Sequence, residues 1–332
     1  MSRQLDMFGG PEVDAGRRLD LAALPPAVHR LGEELRTLAQ PLRMGTSSWS
    51  FPGWEGLIWD RSANPRLLAR AGLETYARHP LMRSVGLDRT YYGPMSTEAM
   101  TELRADLSPD FQLLVKAHAE CTTVKFPDKS WYRSRAGQRN ELFLEPEYAT
   151  RSVVEPFVRG LRGHAGVLLF QFPPQSVPGG PRAFASRLAQ FIEALPKGPR
   201  YAVEIRNPDY FTPRYVHALE RVGASHCIVE LPKMPDLRRQ WEASGGSDRP
   251  ALVMRWMLAR HHNYETGKQA YAPFDALVDP NPEVRSCFAD IIVTQLRAKP
   301  VPSFMIVNNK AEGSSPLSIL RLCELLRTKF DA

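Results

Sequence analysis

The chain has 332 residues, 43% hydrophobic and 24% charged, with a formal net charge of +7, which fits one large globular domain or two ordinary ones. No apolar run approaches the ~20 residues of a membrane span, Met1–Gly10 lacks the apolar core of a secretory signal, and Cys121, Cys227, Cys287 and Cys323 form no Cys-x-x-Cys pair. A cytoplasmic protein with reduced thiols and no membrane partner is expected; a zinc ribbon and a disulfide framework are disfavoured, while the basic excess allows anionic ligands or nucleic acid.

Residues 1–26 are polar and rich in Gly, Pro and Asp, and read as loosely held. From Ala27 to Ala39, the apolar residues Val28, Leu31, Leu35 and Leu38 share one helical face. Strands and helices then alternate. A strand at Leu42–Ser47 precedes a Trp-bearing loop and a helix near Pro65–Arg78. A strand at Met82–Asp88 precedes a helix near Ser96–Leu107. The strand Phe111–Ala117 leads through a long loop to a helix near Thr150–Arg162. The strand Ala165–Gln171 precedes a helix near Arg182–Leu195, and Arg200–Arg206 precedes one near Pro213–Val222. The strand Ala224–Glu230 opens an irregular loop to about Pro250, where the sixth helix is weakest. The strand Ala251–Met257 precedes a loop and a helix near Pro282–Lys299. Last come a strand at Ser303–Asn309 and a helix near Leu317–Lys329.

Eight such alternations in about 290 residues predict an α/β fold, a (β/α)8 TIM-like barrel in a single domain over 41–332, with 1–40 as an N-terminal extension. An open doubly wound sheet is the alternative. No Gly-x-Gly-x-x-Gly follows the first strand, so no nucleotide-cofactor motif is present. The long loops, Ser48–Asn64, His118–Ala149, Leu231–Pro250 and Leu258–Asn281, all follow strands, which places them on the catalytic face of a barrel.

The strands end on polar groups. Tyr201-Ala202-Val203-Glu204-Ile205-Arg206 puts Ala202, Glu204 and Arg206 on one face. Such charges are costly to bury unless they pair or meet a ligand. Lys116, Gln171, Arg255, Asn308 and Asn309 hold equivalent positions on other strands, and Asp88 and Glu230 supply carboxylates. Lys116, Arg206 and Arg255 make this ring positive, and Arg can hold phosphate or carboxylate through two parallel bonds. The expected roles are Glu204 and Lys116 in catalysis, with Arg206, Arg255, Gln171, Asn308, Asn309, Asp88, Tyr92, Thr46, Trp49, Glu230 and His118 binding substrate. A structural Glu204–Arg206 pair is the duller alternative.

Gly313-Ser314-Ser315-Pro316 reads as a helix start whose free N–H groups can hold an anion, or as an ordinary capped helix. His118, His261 and His262 invite a metal, but no His-x-x-x-His or His-Glu-x-x-His spacing occurs; no metal site is assigned, and a metal is an open but not preferred cofactor. Lys125–Arg139 interleaves Lys125, Lys129, Arg133, Arg135 and Arg139 with Phe126, Trp131 and Tyr132. It reads as an ordered lid, or as a grip for single-stranded nucleic acid. Of Trp49, Trp54 and Trp59, Trp49 is the candidate for ligand contact and the others for loop packing.

The same residues carry a resemblance. Gly45-Thr46-Ser47 with Trp49, Thr90-Tyr91-Tyr92, Phe111 to Lys116, Leu168-Leu169-Phe170-Gln171-Phe172-Pro173-Pro174, Ala202 to Arg206, and Asn308-Asn309 with Gly313 are similar to the YecE-like family, domain of unknown function 72. The resemblance runs from about residue 42 to the C-terminus and implies a TIM-like barrel with a polar pocket at the strand ends. It supplies no activity. The chain departs from the family pattern at Gly86 and Asp88, where a Glu and an Asn are usual, and at Arg255-Trp256-Met257-Leu258, where an Arg-x-His-Gly-like turn is usual. The reading is an enzyme for a small anionic, phosphorylated or sugar-like substrate; a nucleic-acid-processing barrel and a non-catalytic binding protein are the alternatives.

Overall fold

Start and stop chemistry sets the helix bounds. Asn64 accepts from Leu67 N ahead of α2 (Pro65–Ala77), Thr212 from Tyr215 N ahead of α7 (Pro213–Val222), and Asn281 from Val284 N ahead of α10 (Pro282–Ala298). Each is followed by Pro in the first turn, where a missing N–H costs nothing. The computed structural model describes residues 19–105, 107–128 and 132–332.

Eight parallel strands close into a barrel in sequence order: β1 (Leu42–Thr46), β2 (Ser84–Leu87), β3 (Gln112–Lys116), β4 (Ala165–Phe172), β5 (Tyr201–Ile205), β6 (Ser225–Glu230), β7 (Leu252–Trp256) and β8 (Ser303–Val307). β8 pairs with β1, so the expected (β/α)8 barrel is formed and the open sheet is excluded. Outside lie α1 (Pro26–Leu38), α2, α3 (Thr97–Arg104), α4 (Pro146–Ala149), α5 (Glu155–Leu161), α6 (Gly180–Ala194), α7, α8 (Leu237–Ala243), α9 (Tyr264–Tyr271), α10 and α11 (Ser315–Asp331). A π-helical turn at Thr150–Val154 joins α4 to α5.

Two hydrophobic layers follow from strand alternation. Leu114, Val167, Leu169, Ala202, Cys227, Val253, Phe304 and Ile306 fill the barrel interior as their own cluster. The alternate residues, such as Val115, Leu168, Val203, Met254 and Met305, pack against the helices. One step of two residues above the interior layer come Lys116, Gln171, Glu204, Arg255 and Asn308. The polar strand ends are therefore the top layer of the barrel, carried on a packed floor.

The sequence reading needs three changes. The loop after β6 contains α8, capped by Asp236. The loop after β7 contains α9, with a capping box between Asn263 and Thr266. Of the N-terminal stretch, residues 1–18 lie outside the described residues, but Leu19 and Ala22 are buried and Ala22 N donates to Ile58 O at 3.0 Å. No helix among the described residues is long and apolar enough to cross a membrane.

Candidate functional site

Each top-layer residue is delivered by a different strand. Glu204 of β5 lies between two arginines. Arg206 Nε donates to its Oε1 at 2.8 Å, and Arg255 Nη1 to its Oε2 at 2.6 Å. Arg255 Nη2 turns the other way, to Asp88 Oδ1 at 3.3 Å, and Lys116 Nζ lies 3.7 Å from the same oxygen. Arg206 Nη2 donates to Gln171 Oε1 at 2.8 Å. Its Nη1 makes no hydrogen bond among the described residues, and the side chain is 28% exposed. The result is one network from β2, β3, β4, β5 and β7, with Arg206 and Asp88 on its open side.

Gly86, one interior step below Asp88, lies close against Ser47 and Ile306. A Cβ there would meet Ser47 Cα at 3.2 Å and Ile306 Cγ2 at 3.4 Å. On the other flank, Asn308 Nδ2 donates to Ser47 Oγ at 2.8 Å, and Asn308 Oδ1 accepts from Lys310 N and Nζ at 3.0 and 3.3 Å. Lys310 Nζ sits 4.1 Å above the Tyr264 ring, and Lys116 Nζ 4.5 Å above the Tyr91 ring. Aromatic faces of this kind favour an ammonium without neutralising it.

The electrostatics divide the residues by role. Burial raises the Glu204 carboxyl, but Arg255, Arg206 and Lys116 outweigh it and hold the group down at about 2. Burial likewise pulls Arg255 down, and Glu204 and Asp88 more than restore it, above the ordinary arginine value. Both stay charged throughout the working pH range. The lysines behave differently. Burial, partly offset by Asp88, lowers Lys116 to about 8. Burial and then Lys268 lower Lys310 to about 8. Amines held there can give up or take a proton near neutrality.

The chain matches the family described as "Protein of unknown function DUF72" over residues 43–332. The chain belongs to the DUF72 family. A DUF72 family protein of Thermotoga maritima is similar at 20% identity, covering 86% of this chain and 98% of that one, with a TM-score of 0.56. Two structures of a DUF72 family protein of Enterococcus faecalis V583 are similar at 14% and 16% identity, covering 88% and 86% of this chain and 98% and 95% of theirs, with TM-scores of 0.55 and 0.58. At these identities the likeness concerns the fold. No match is found among curated proteins.

In this DUF72 barrel, the network unites Lys116, Gln171, Glu204, Arg206, Arg255 and Asp88 of the expected site, with Asn308 on its flank. Two expected roles change. Glu204 is wholly buried with both oxygens paired, so it is a counterion rather than a proton carrier. Arg255 is wholly buried between two carboxylates, so it fixes the floor rather than a ligand.

Other expected site residues lie elsewhere. Thr46 is one residue out of phase with the interior and faces α2, its Oγ1 2.9 Å from Tyr76 Oη; Ser47 takes the inward position. Trp49 is buried in the packed loop and donates Nε1 to Leu68 O at 3.1 Å. Glu230 has the outward phase of Trp256, its register partner, and pairs with Arg260. His118 is buried beside Tyr148, with Nδ1 2.6 Å from Tyr148 Oη. Asn309 is buried and closes the start of α11, its Oδ1 accepting from Ser315 N at 2.9 Å and Ser315 Oγ at 2.7 Å. Ser314 and Ser315 are also buried, and Ser314, the N-cap of α11, makes no side-chain cap bond, so the amide of Asn309 serves in place of the expected hydroxyl. Tyr92 stands 60% exposed, edge-on to Tyr91.

Tyr91 and Lys310 were not expected. Their signal was the chemistry of the neighbours: Tyr91 stands in Thr90-Tyr91-Tyr92 and Lys310 follows Asn308-Asn309, both just past strand ends. In the Lys125–Arg139 segment, Lys129 and Trp131 lie outside the described residues. Phe126 and Tyr132 are buried, Arg135 covers the Phe126 ring at 4.0 Å and pairs with Glu120 at 2.6 Å. Those rings are covered, which fits a folded lid better than a platform for bases.

Proposed function

We propose that this DUF72 barrel is an enzyme acting on a small anionic substrate, phosphorylated or sugar-like, at the carboxyl ends of its strands. The observation that carries this reading is the charge balance of the top layer. Lys116, Arg206, Arg255 and Lys310 converge there on two carboxylates, Asp88 and Glu204. Lys268 and Glu265 of α9, which also act on Lys310, add one charge of each sign. An anion would complete the balance, and each charge-assisted hydrogen bond to it contributes roughly 1.5–3 kcal/mol.

Arg206 Nη1 and Lys310 Nζ are the donors for the anionic group, with Gln171 and Glu204 orienting the Arg206 guanidinium. Lys116 is the proton carrier. Its amine is acidic enough to release a proton near neutral pH, and the neighbouring Asp88 keeps a useful fraction charged. Glu204 and Arg255 form the fixed frame beneath them.

The experiment is a melting series in chloride, sulfate, phosphate and sugar phosphates at matched ionic strength, followed by product analysis for each stabilising compound. Anions should raise the melting temperature by mass action. Arg206→Ala should abolish that rise, whereas Lys125→Ala, on the outer loop, should keep it. Equal losses in the two variants would overturn the anion site. Stabilisation without turnover by any tested compound would favour the non-catalytic binding protein.

A further inference from the structure

The loop that follows β7 brings His261 and His262 against Asp279, from the segment leading into α10. The ligand atoms of all three lie within 4.8 Å of one another. His261 Nε2 is 3.1 Å from Asp279 Oδ2. Two ligands on a tetrahedral ion with bonds of about 2.0–2.1 Å stand about 3.3 Å apart, so this pair is already at coordination spacing. We propose that His261, His262 and Asp279 form a binding site for a divalent transition-metal ion of the zinc class. The site uses no residue of the anion-binding reading and stands or falls separately from it.

Three features distinguish the group from a chance surface ion pair. The carboxylate is oriented from outside, because Tyr271 Oη donates to Asp279 Oδ2 at 2.8 Å. The His262 ring is also fixed. Its Nδ1 is 3.2 Å from Thr266 Oγ1, which leaves Nε2 for a ligand bond, and its edge meets the Tyr271 ring at 5.1 Å. Hydrogen bonds of this kind, from outer residues to ligating groups, are what set ring orientation in metal sites. Finally, the two imidazoles sit together, with ring centroids 4.3 Å apart. Two imidazoles and one carboxylate suit zinc-class ions rather than magnesium or calcium, which prefer all-oxygen sites. Three protein ligands leave a coordination position for water or a ligand.

The site has Lys310 of the anion network as a neighbour, beside the same face of α9. A Cβ placed on Gly267 would stand 3.6 Å from His262 Cβ and 3.7 Å from Lys310 Cβ. The tighter contact of such a Cβ would be with Leu258 Cδ1, at 3.1 Å.

The test uses the full chain after chelator treatment, titrated with Zn2+ by calorimetry and with Co2+ by its visible absorption. One equivalent should bind, with tetrahedral cobalt bands. His262→Asn and Asp279→Asn should each weaken binding by about tenfold or more, and Tyr271→Phe, which keeps every ligand, by about tenfold. His217→Asn, which removes the exposed His217–Glu220 pair on α7, should change nothing. Absence of saturable binding would overturn the proposal, as would wild-type affinity in both ligand variants. Should the ligand variants fail to fold, wild-type affinity in Tyr271→Phe would count against it equally.

Discussion

Arg255 Nη1 donates to Glu204 Oε2 at 2.6 Å, and both side chains are wholly buried. They reach each other across the barrel interior from β7 and β5, with β6 contributing the shorter Val229 at that level. The pair therefore ties together strands that share no hydrogen bonds with each other. It also sets Arg206 and Asp88, which each contact one member, on the open side of the site.

Removing the Glu204 charge leaves the buried Arg255 with only its longer contact to Asp88, 3.3 Å, so the cost should approach the about 3–5 kcal/mol of a broken buried pair. Glu204→Gln should thus lower the melting temperature by on the order of 10 °C. Calorimetric or circular-dichroism melts decide this. A variant melting like the wild type would show that the pair contributes nothing to the fold and would return Glu204 to a ligand-facing role.

The acid limb of stability should carry the same signature. The Glu204 carboxyl lies at about 2 in the fold against an ordinary 4.5. A lowered carboxyl contributes stability that is complete above about 4.5 and is lost as pH falls through about 2. The gap in melting temperature between wild type and Glu204→Gln should be full at pH 6 and narrow progressively below 4.5. A gap independent of pH down to 2.5 would assign the effect of the substitution to shape rather than charge.

Much of this arrangement was legible in the sequence because strand alternation is a strict rule. Leu114 and Lys116, Leu169 and Gln171, and Ala202 and Glu204 each share a face two residues apart, so an apolar floor predicts a polar top. The rule fails where the phase is unknown. Thr46 and Ser47 are adjacent polar residues, and only the pairing of β1 with β8 shows which of them faces inward. Glu230 ends its strand as Glu204 does, but one residue out of phase. Depth was equally hidden. Nothing in Tyr201–Arg206 says that both oxygens of Glu204 are already taken by Arg206 and by Arg255, which lies 51 residues further along. Helices α8 and α9 were missed because they are short and bury few apolar residues, so their capping residues outweigh any periodicity.

Anion affinity should fall on the alkaline side. Burial lowers Lys116 and Lys310 to about 8 each. Between pH 7 and 9 both lose most of their charge, and phosphate-induced stabilisation should weaken with them. The fold itself responds in the opposite sense. Between about 8 and the ordinary 10.5 the unfolded chain binds more protons at these lysines, so their contribution to stability rises with pH. The double variant Lys116→Gln, Lys310→Gln should remove both trends. A phosphate effect that stays level from pH 7 to 9 in the wild type would show that neither amine faces the anion.

Glu230 offers the sharpest separation of phase from chemistry. It is a buried strand-end carboxylate, as Glu204 is, but it faces outward and has one arginine partner where Glu204 has two. Burial raises the Glu230 carboxyl, and Arg260, on a side chain 44% exposed, only partly offsets this. Glu230→Gln should therefore cost no more than about 1–3 kcal/mol, as expected for one hydrogen-bonding partner lost from a buried group. It should leave phosphate-induced stabilisation at the wild-type level, since Arg260 lies outside the network of Lys116, Arg206 and Arg255. Arg206→Ala should do the reverse, removing the phosphate effect with a smaller change in the melt of the free protein. The two melts, each with and without phosphate at matched ionic strength, provide the check. Loss of the phosphate effect in Glu230→Gln would place the anion on the β6 side of the mouth, and Arg260 rather than Arg206 would then be its arginine.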